Sequence, residues 1–258
     1  MANSTDEHIA KVVNYLKRAN DVLIITGAGI SADSGLPTYR GLGGIYDNKL
    51  TEDGMPIESA LSGPMFQTRP EITWKYLAEI EYSARGARPN AAHTTLAQME
   101  PEFNRFWILT QNVDGFHCAA GSNNVIEIHG NMYRMRCTRC DYQKIFTDYL
   151  NVKIPPECPQ CQFMLRPDIV LFEESLPQEQ LKILHREMRS PFDVVLSIGT
   201  SSYFPYISEP VFTAKQFGIP TVEINPAETA VSHLVDTKIE LGAARSLTEI
   251  WGRYQTQN

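Results

Sequence analysis

Val22-Leu23-Ile24-Ile25-Thr26-Gly27-Ala28-Gly29-Ile30-Ser31-Ala32-Asp33-Ser34-Gly35 is the stretch whose reading decides the fold. Its β-branched apolar run has the pattern of a strand buried on both faces, as in a parallel sheet. The run ends in Gly27-x-Gly29-x-x-Ala32, the spacing that opens a dinucleotide-binding fold. There the first Gly permits a tight turn and the second lets a pyrophosphate approach the backbone. The small third residue lets the next helix pack close. Glycine-rich strand ends also occur as plain turns. The acid expected about twenty residues on is not clearly placed, because Asp47 follows Gly43-Gly44 rather than a strand. The continuation Ser34-Gly35-Leu36-Pro37-Thr38-Tyr39-Arg40-Gly41 strengthens the dinucleotide reading. An aromatic and an Arg just past a phosphate-binding turn fit a lid over the bound molecule.

A chain of 258 residues can bury one substantial core with a smaller module attached. A hydrophobic share of 43% and a charged share of 21% are those of an ordinary globular protein. No stretch is long and apolar enough to span a bilayer, and the first residues lack the basic and apolar regions of a signal peptide. The net charge of -7 argues against sequence-independent nucleic-acid binding. Five Cys, four of them in two paired clusters, point to metal in a reducing compartment rather than to disulfides. A cytoplasmic protein is expected.

Along the chain, Ile9, Val12, Val13 and Leu16 define an amphipathic helix over residues 8–17. Residues 41–63 are rich in Gly, Pro, Asp and Ser and read as an irregular loop, a candidate lid. Ile72, Tyr76, Leu77 and Ile80 mark a helix, and a further helix starts near Pro89-Asn90-Ala91. Phe106-Trp107-Ile108-Leu109-Thr110 is a second buried strand that runs into Gln111-Asn112-Val113-Asp114-Gly115. Polar residues at that end of a parallel strand are where open α/β sheets place ligand contacts. Val125-Ile126-Glu127-Ile128-His129-Gly130 repeats the pattern; its His could be a ligand-site residue or a satisfied structural one. Strands are also expected at 168–172, at 193–201 ending in a second Gly-hydroxyl turn, at 220–225 ending in Asn and at 238–243, with a helix at 178–188. Strands alternating with helices imply an α/β fold with a doubly wound parallel sheet.

Between 131 and 167 the apolar periodicity fades, and Cys137-Thr138-Arg139-Cys140 and Cys158-Pro159-Gln160-Cys161 appear seventeen residues apart. Two such knuckles match a four-thiolate zinc ribbon, a closed tetrahedral site that holds structure together rather than doing chemistry. Cys118, the odd one out, reads as a small buried apolar residue.

In this order the motifs resemble one family, the sirtuins, which are NAD-dependent protein deacylases. The resemblance runs from about residue 21 to 247. It is carried by Gly27-Ala28-Gly29-Ile30-Ser31-Ala32-Asp33-Ser34-Gly35-Leu36-Pro37, Arg40-Gly41, Thr110-Gln111-Asn112-Val113-Asp114-Gly115 and Ile128-His129-Gly130. The two Cys pairs, Arg166-Pro167-Asp168-Ile169-Val170-Leu171-Phe172, Gly199-Thr200-Ser201 and Ile224-Asn225 complete it. The resemblance implies a Rossmann-like NAD-binding domain from residues 1–40, 89–130 and 168–258. A smaller domain would combine the lid and helices of 41–88 with the zinc ribbon of 131–167. It places Gly27, Ala28, Gly29, Ile30, Tyr39, Arg40, Gly199, Thr200, Ser201, Asn225 and Ala243 along NAD. Asn112 and Asp114 fall at the nicotinamide end, with Gln111 beside the ribose. It also implies that the strained nicotinamide leaves, that the acyl oxygen of a substrate lysine attacks the ribose carbon, and that His129 deprotonates a ribose hydroxyl. For that role His129 is expected to have a pKa near the working pH, with Asn112 as the second catalytic residue. Val170 and Phe172 would wall the acyl-lysine tunnel. The backbone at 172–174, including Glu173, would pair with an extended acylated-lysine peptide, the expected partner.

Three positions depart from the family. Thr38-Tyr39 stands where most members have Asp-Phe, and Phe172-Glu173-Glu174 where most have Phe-Gly-Glu. Members that remove succinyl or malonyl groups carry Tyr-x-x-Arg before the Pro-Asn-Ala segment. Here Tyr82-Ser83-Ala84-Arg85 lies only a few residues before Pro89, out of register, so an ordinary solvated helix end is expected there. Deacetylation is the expected activity, with two alternatives: an ADP-ribosyltransferase or NAD glycohydrolase on the same scaffold, and a nucleotide sensor without turnover. A retained His129 and Asn112 argue against the sensor.

Overall fold

The computed structural model describes residues 2–38 and 50–256. Six parallel strands form the large sheet. In spatial order they are β3 (Val125–Glu127), β2 (Arg105–Thr110), β1 (Asp21–Thr26), β7 (Val194–Ile198), β8 (Thr221–Ile224) and β9 (Thr237–Ile239). The decisive stretch thus supplies a central strand, in register with β2 on one side and β7 on the other. Its side chains divide by parity, because successive residues of a strand face opposite ways. Val22 and Ile24 enter the core under α1 (Ala2–Arg18), α5 (Ala91–Met99) and α9 (Ala243–Thr256), whereas Leu23 and Ile25 enter the core under α7 (Gln178–Glu187) and α8 (Pro205–Gln216). Helices on both faces are why no polar residue interrupts the run.

The chain winds outward from β1 through β2 to β3, then returns to β7 and winds the other way through β8 to β9. The connections after β1 and β7 therefore lead to opposite halves of the sheet, and an open crevice lies where the winding reverses. The remaining elements build a smaller unit around a three-stranded antiparallel sheet. Its strands are β4 (Gly130–Cys137), β5 (Gln143–Ile145) and β6 (Leu165–Ile169), in the order β5-β4-β6. Against it pack α2 (Ile57–Ala60), α3 (Gly63–Thr68) and α4 (Pro70–Ala84), with Trp74, Leu77, Met135 and Tyr149 in a common core.

Three expectations are corrected. The strand placed at 168–172 is β6, at Leu165–Ile169, and it pairs antiparallel with β4 rather than joining the parallel sheet. Pro167 lies inside it, which an edge strand tolerates because the missing N–H would have faced outward. The loop expected over 41–63 contains α2 and the start of α3 in its described part. Cys118 is exposed, because the single turn α6 (Phe116–Ala119) points Phe116 and His117 inward and leaves the thiol outside.

Candidate active site

A cavity of about 830 Å³ opens at the reversal point. Its walls include Gly27, Ala28, Gly29, Gly199, Thr200 and Ser201 from the turns after β1 and β7, Asn225 after β8, and Ala243 at the start of α9. Gln111, Asn112 and His129 enter from the β2 and β3 side, while Val170, Phe172 and Glu173 close the end nearest the small unit. Two expected contacts do not reach this wall. Ile30 is fully buried in the core, its N–H bonded to Gly27 and its carbonyl to Asn90. Asp114 lines an adjoining recess that shares Ala28 and Asn112 with the cavity. Tyr39 and Arg40, like Asp47, lie outside the described residues.

The glycines after β1 act differently from the simplest expectation. A Cβ on Gly29 would sit 2.7 Å from the Gly199 Cα, and one on Gly199 would sit 2.4 Å from the Ile30 nitrogen. The two turns therefore press backbone on backbone, tied by a Gly29 N–H to Gly199 C=O bond of 2.8 Å. Gly29 is small in order to meet the neighbouring turn, and the pair jointly forms one wall of the crevice. Asn225 adds to that wall by donating its amide to the Thr200 carbonyl at 3.1 Å.

His129 follows β3 and immediately precedes β4. Its Nδ1 lies 3.0 Å from the Gln111 carbonyl oxygen, which can only accept, so Nδ1 carries the proton. In the neutral ring the one lone pair is then on Nε2, which faces the Tyr206 hydroxyl at 2.7 Å. Burial pushes the pKa of His129 down to about 4, against a partial rise from the Gln111 carbonyl. A value near neutral was expected; desolvation instead makes the ring a weaker base and keeps it neutral, with a lone pair on Nε2, throughout the physiological range. Tyr206 was not anticipated. The only local signal was an aromatic three residues into the segment after Gly199-Thr200-Ser201-Ser202-Tyr203, on the face where ligands bind.

In the recess, Ser31 donates to the Asp114 carboxylate at 2.8 Å, and Asn112 donates to the Gly27 carbonyl at 3.1 Å. Burial raises the pKa of Asp114, opposed by the Phe116 N–H and the Ser31 hydroxyl. Behind it His93 and His117 are buried with ring centroids 5.0 Å apart, and His117 contacts the Thr26 hydroxyl at 2.9 Å. Burial lowers His93 to about 4 and His117 to about 3. With His129, three imidazoles are neutral in the fold but bind protons in the unfolded chain below about pH 6.5. Their contribution is thus complete above that pH and is lost as the pH falls toward their folded values, at ~1 kcal/mol per pH unit for each. The melting temperature should drop by roughly 10–20 °C between pH 7 and pH 5. A melting curve that stays flat over this window would remove the argument.

The far wall is braced by an ion pair. Arg166 grips Glu174 with two hydrogen bonds of 2.8 and 2.9 Å, and Glu174 also accepts the Leu171 N–H at 3.0 Å. Phe172 is already paired, its N–H with Leu61 and its carbonyl with Gly63, both at 2.9 Å. Of the segment 172–174 expected to pair with a peptide, Phe172 and the Glu174 N–H are thus used within the fold, which leaves Glu173. That residue takes a left-handed φ of 65° where the family's Gly would be unstrained.

In the small unit, the sulfurs of Cys137, Cys140, Cys158 and Cys161 all lie within 4.8 Å of one another. The Arg139 and Cys140 N–H groups point at the Cys137 sulfur, at 3.3 and 3.5 Å. Four convergent thiols with backbone donors that favour the thiolate fit a closed tetrahedral zinc site.

The family model described as the Sir2 family matches residues 27–204. NAD-dependent protein deacylase 2 of Pseudomonas aeruginosa is 49% identical over 239 residues, covering 91% of this chain and 93% of its own. A crystal structure of a Sir2 homolog–NAD complex superposes with a TM-score of 0.83 at 33% identity, covering 96% of this chain and 94% of that one. A Sir2 variant with a deacetylated p53 peptide and 3'-O-acetyl ADP-ribose gives a TM-score of 0.84 at 28% identity, covering 95% and 98%.

Proposed function

Because the chain belongs to the Sir2 family, we propose that it removes acyl groups from protein lysines at the expense of NAD. The products are nicotinamide, O-acyl-ADP-ribose and free lysine. One observation carries the reading: a neutral His of fixed tautomer stands in the crevice where a doubly wound sheet binds nucleotides. When bound, NAD supplies a ribose carbon made electrophilic by loss of nicotinamide. Gly27, Ala28, Thr200 and Ser201 hold the pyrophosphate region, and Asn225 and Ala243 the adenosine end. Gln111 lies beside the ribose, and Asn112 with Asp114 orients the nicotinamide amide in the recess. His129 takes up a proton from a ribose hydroxyl at Nε2. Val170 and Phe172, with Leu77 and Ile80 of α4, exclude water around the acyl-lysine. Glu173 contacts the peptide backbone. Cys137, Cys140, Cys158 and Cys161 hold zinc and take no part in the chemistry.

Nicotinamide release measured with and without an acetylated peptide tests this. Release that depends on peptide fits the deacylase, and release without peptide fits a glycohydrolase or transferase. No release fits a sensor. Four reduced thiols as metal ligands support work in the cytoplasm. Among the described residues no helix is long and apolar enough to cross a membrane.

The acyl group should be neutral. No Lys or Arg among the described residues lines the cavity, and its acyl end presents Leu61, Leu77, Ile80 and Met132. Arg85 lies outside it, held by the fully buried Glu81, and Tyr82 is 72% exposed. A succinyl carboxylate would lose its water without gaining a partner, so kcat/KM should favour acetyl by ~10-fold or more. Succinyl outperforming acetyl, with Arg85→Met reversing the order, would overturn this assignment.

A further inference from the structure

We infer that Tyr206 is a further catalytic residue, a hydroxyl through which the proton of the substrate hydroxyl reaches Nε2 of His129. The inference rests on His129 as the base. It starts from a count of lone pairs. The neutral imidazole has one, on Nε2, because the Gln111 carbonyl at 3.0 Å fixes the proton on Nδ1. That lone pair is engaged by the Tyr206 hydroxyl at 2.7 Å, with the Tyr206 oxygen donating. A substrate hydroxyl can therefore reach the base only by displacing Tyr206 or by acting through it.

The surroundings favour the second route. Tyr206 stands on the first turn of α8, after Phe204 and the helix-starting Pro205. Its ring stacks on Phe204 at 5.5 Å with 12° between planes, and both rings meet the His129 imidazole edge to face. A phenol held between a stacking partner and a hydrogen-bonded imidazole does not swing away without losing both contacts. Tyr206 also lines the cavity beside His129, and a hydroxyl oxygen that donates its proton still has lone pairs with which to accept from an incoming hydroxyl.

The step balances without a tyrosinate. The ribose O–H bond breaks as its proton joins the Tyr206 oxygen. The proton already on Tyr206 leaves for Nε2, and the new oxyanion attacks the acyl carbon. Tyr206 begins and ends neutral and His129 ends as imidazolium. Burial raises the Tyr206 pKa to about 12, which agrees with a group that passes protons on without storing charge.

Three variants and one spectrum decide the matter. In Tyr206→Phe, ¹⁵N NMR of the free protein should show the His129 Nε2 signal moving toward an unbonded nitrogen while Nδ1 stays protonated. Single-turnover acyl transfer at saturating NAD and acetylated peptide should fall about 10- to 100-fold, with the initial nicotinamide release unchanged. Phe204→Leu, which loosens the stack but keeps the hydroxyl, should show a smaller loss. An unmoved Nε2 signal, or transfer in Tyr206→Phe at or above the wild-type rate, would overturn the relay. His129→Ala measured alongside separates the two readings: transfer at the wild-type rate there defeats the assignment of His129 itself, whatever Tyr206→Phe does.

Discussion

His129→Ala is expected to lower acyl transfer by ~10²–10⁴-fold, the usual cost of losing a general base, while NAD still binds. The two effects separate because His129 enters the cavity from the β3 side and bonds through its ring to Gln111 and Tyr206, whereas the glycine turns that wall the crevice follow β1 and β7 and make no hydrogen bond to the ring. The ring is half-buried and packs on Phe204, so the substitution also removes packing at the cavity wall. Thermal unfolding and NAD titration of the same sample therefore accompany the kinetics. A variant that binds NAD and melts normally but turns over at the wild-type rate would make His129 structural.

Removing zinc should have an effect of similar size by another route. Structural zinc sites contribute on the order of 10 kcal/mol to folding in small domains. β4 links the metal site to the cavity directly, since it runs from Gly130, next to His129, to the ligand Cys137. β6 pairs along it from Leu165 opposite Cys137 to Ile169 opposite Gly130, and Val170 then donates to the His129 carbonyl at 3.0 Å. Releasing the four thiolates frees one end of both strands, so the wall carrying Val170 and Phe172 loses its anchor. Chelation, or Cys158→Ser, should unfold the small unit and abolish activity together, followed by circular dichroism and by metal content. Activity persisting in protein stripped of zinc would refute this, and so would metal retained by fewer than four of the cysteines.

Gly130 shows how tightly the two regions are joined. Its φ is +81°, and a Cβ there would lie 2.0 Å from the Asp168 carbonyl oxygen. Only Gly lets β4 leave His129 while β6 crosses so close. In sequence this position was legible only as the last letter of Ile128-His129-Gly130; its reason lies thirty-eight residues away along the chain.

What the sequence determined by itself is local. An uninterrupted apolar run gave β1, because a strand covered on both faces has no polar side to show. The spacing of Ile9, Val12, Val13 and Leu16 gave α1, and paired Cys knuckles gave the four-thiol cluster, since helical period and metal geometry are written in short intervals. Tertiary structure decided whatever depends on what lies across a gap. It moved the strand expected at 168–172 to Leu165–Ile169, because β4 offers its edge there and 170–172 is used by His129 and Leu61. It turned Cys118 outward and sent Ile30 into the core. It also brought Gln111 and Tyr206, 18 and 77 residues from His129, to its two nitrogens. A histidine's tautomer and basicity are set by burial and by such distant partners, so the letter at position 129 marked a candidate base, while packing set which nitrogen carries the proton and where the ring titrates.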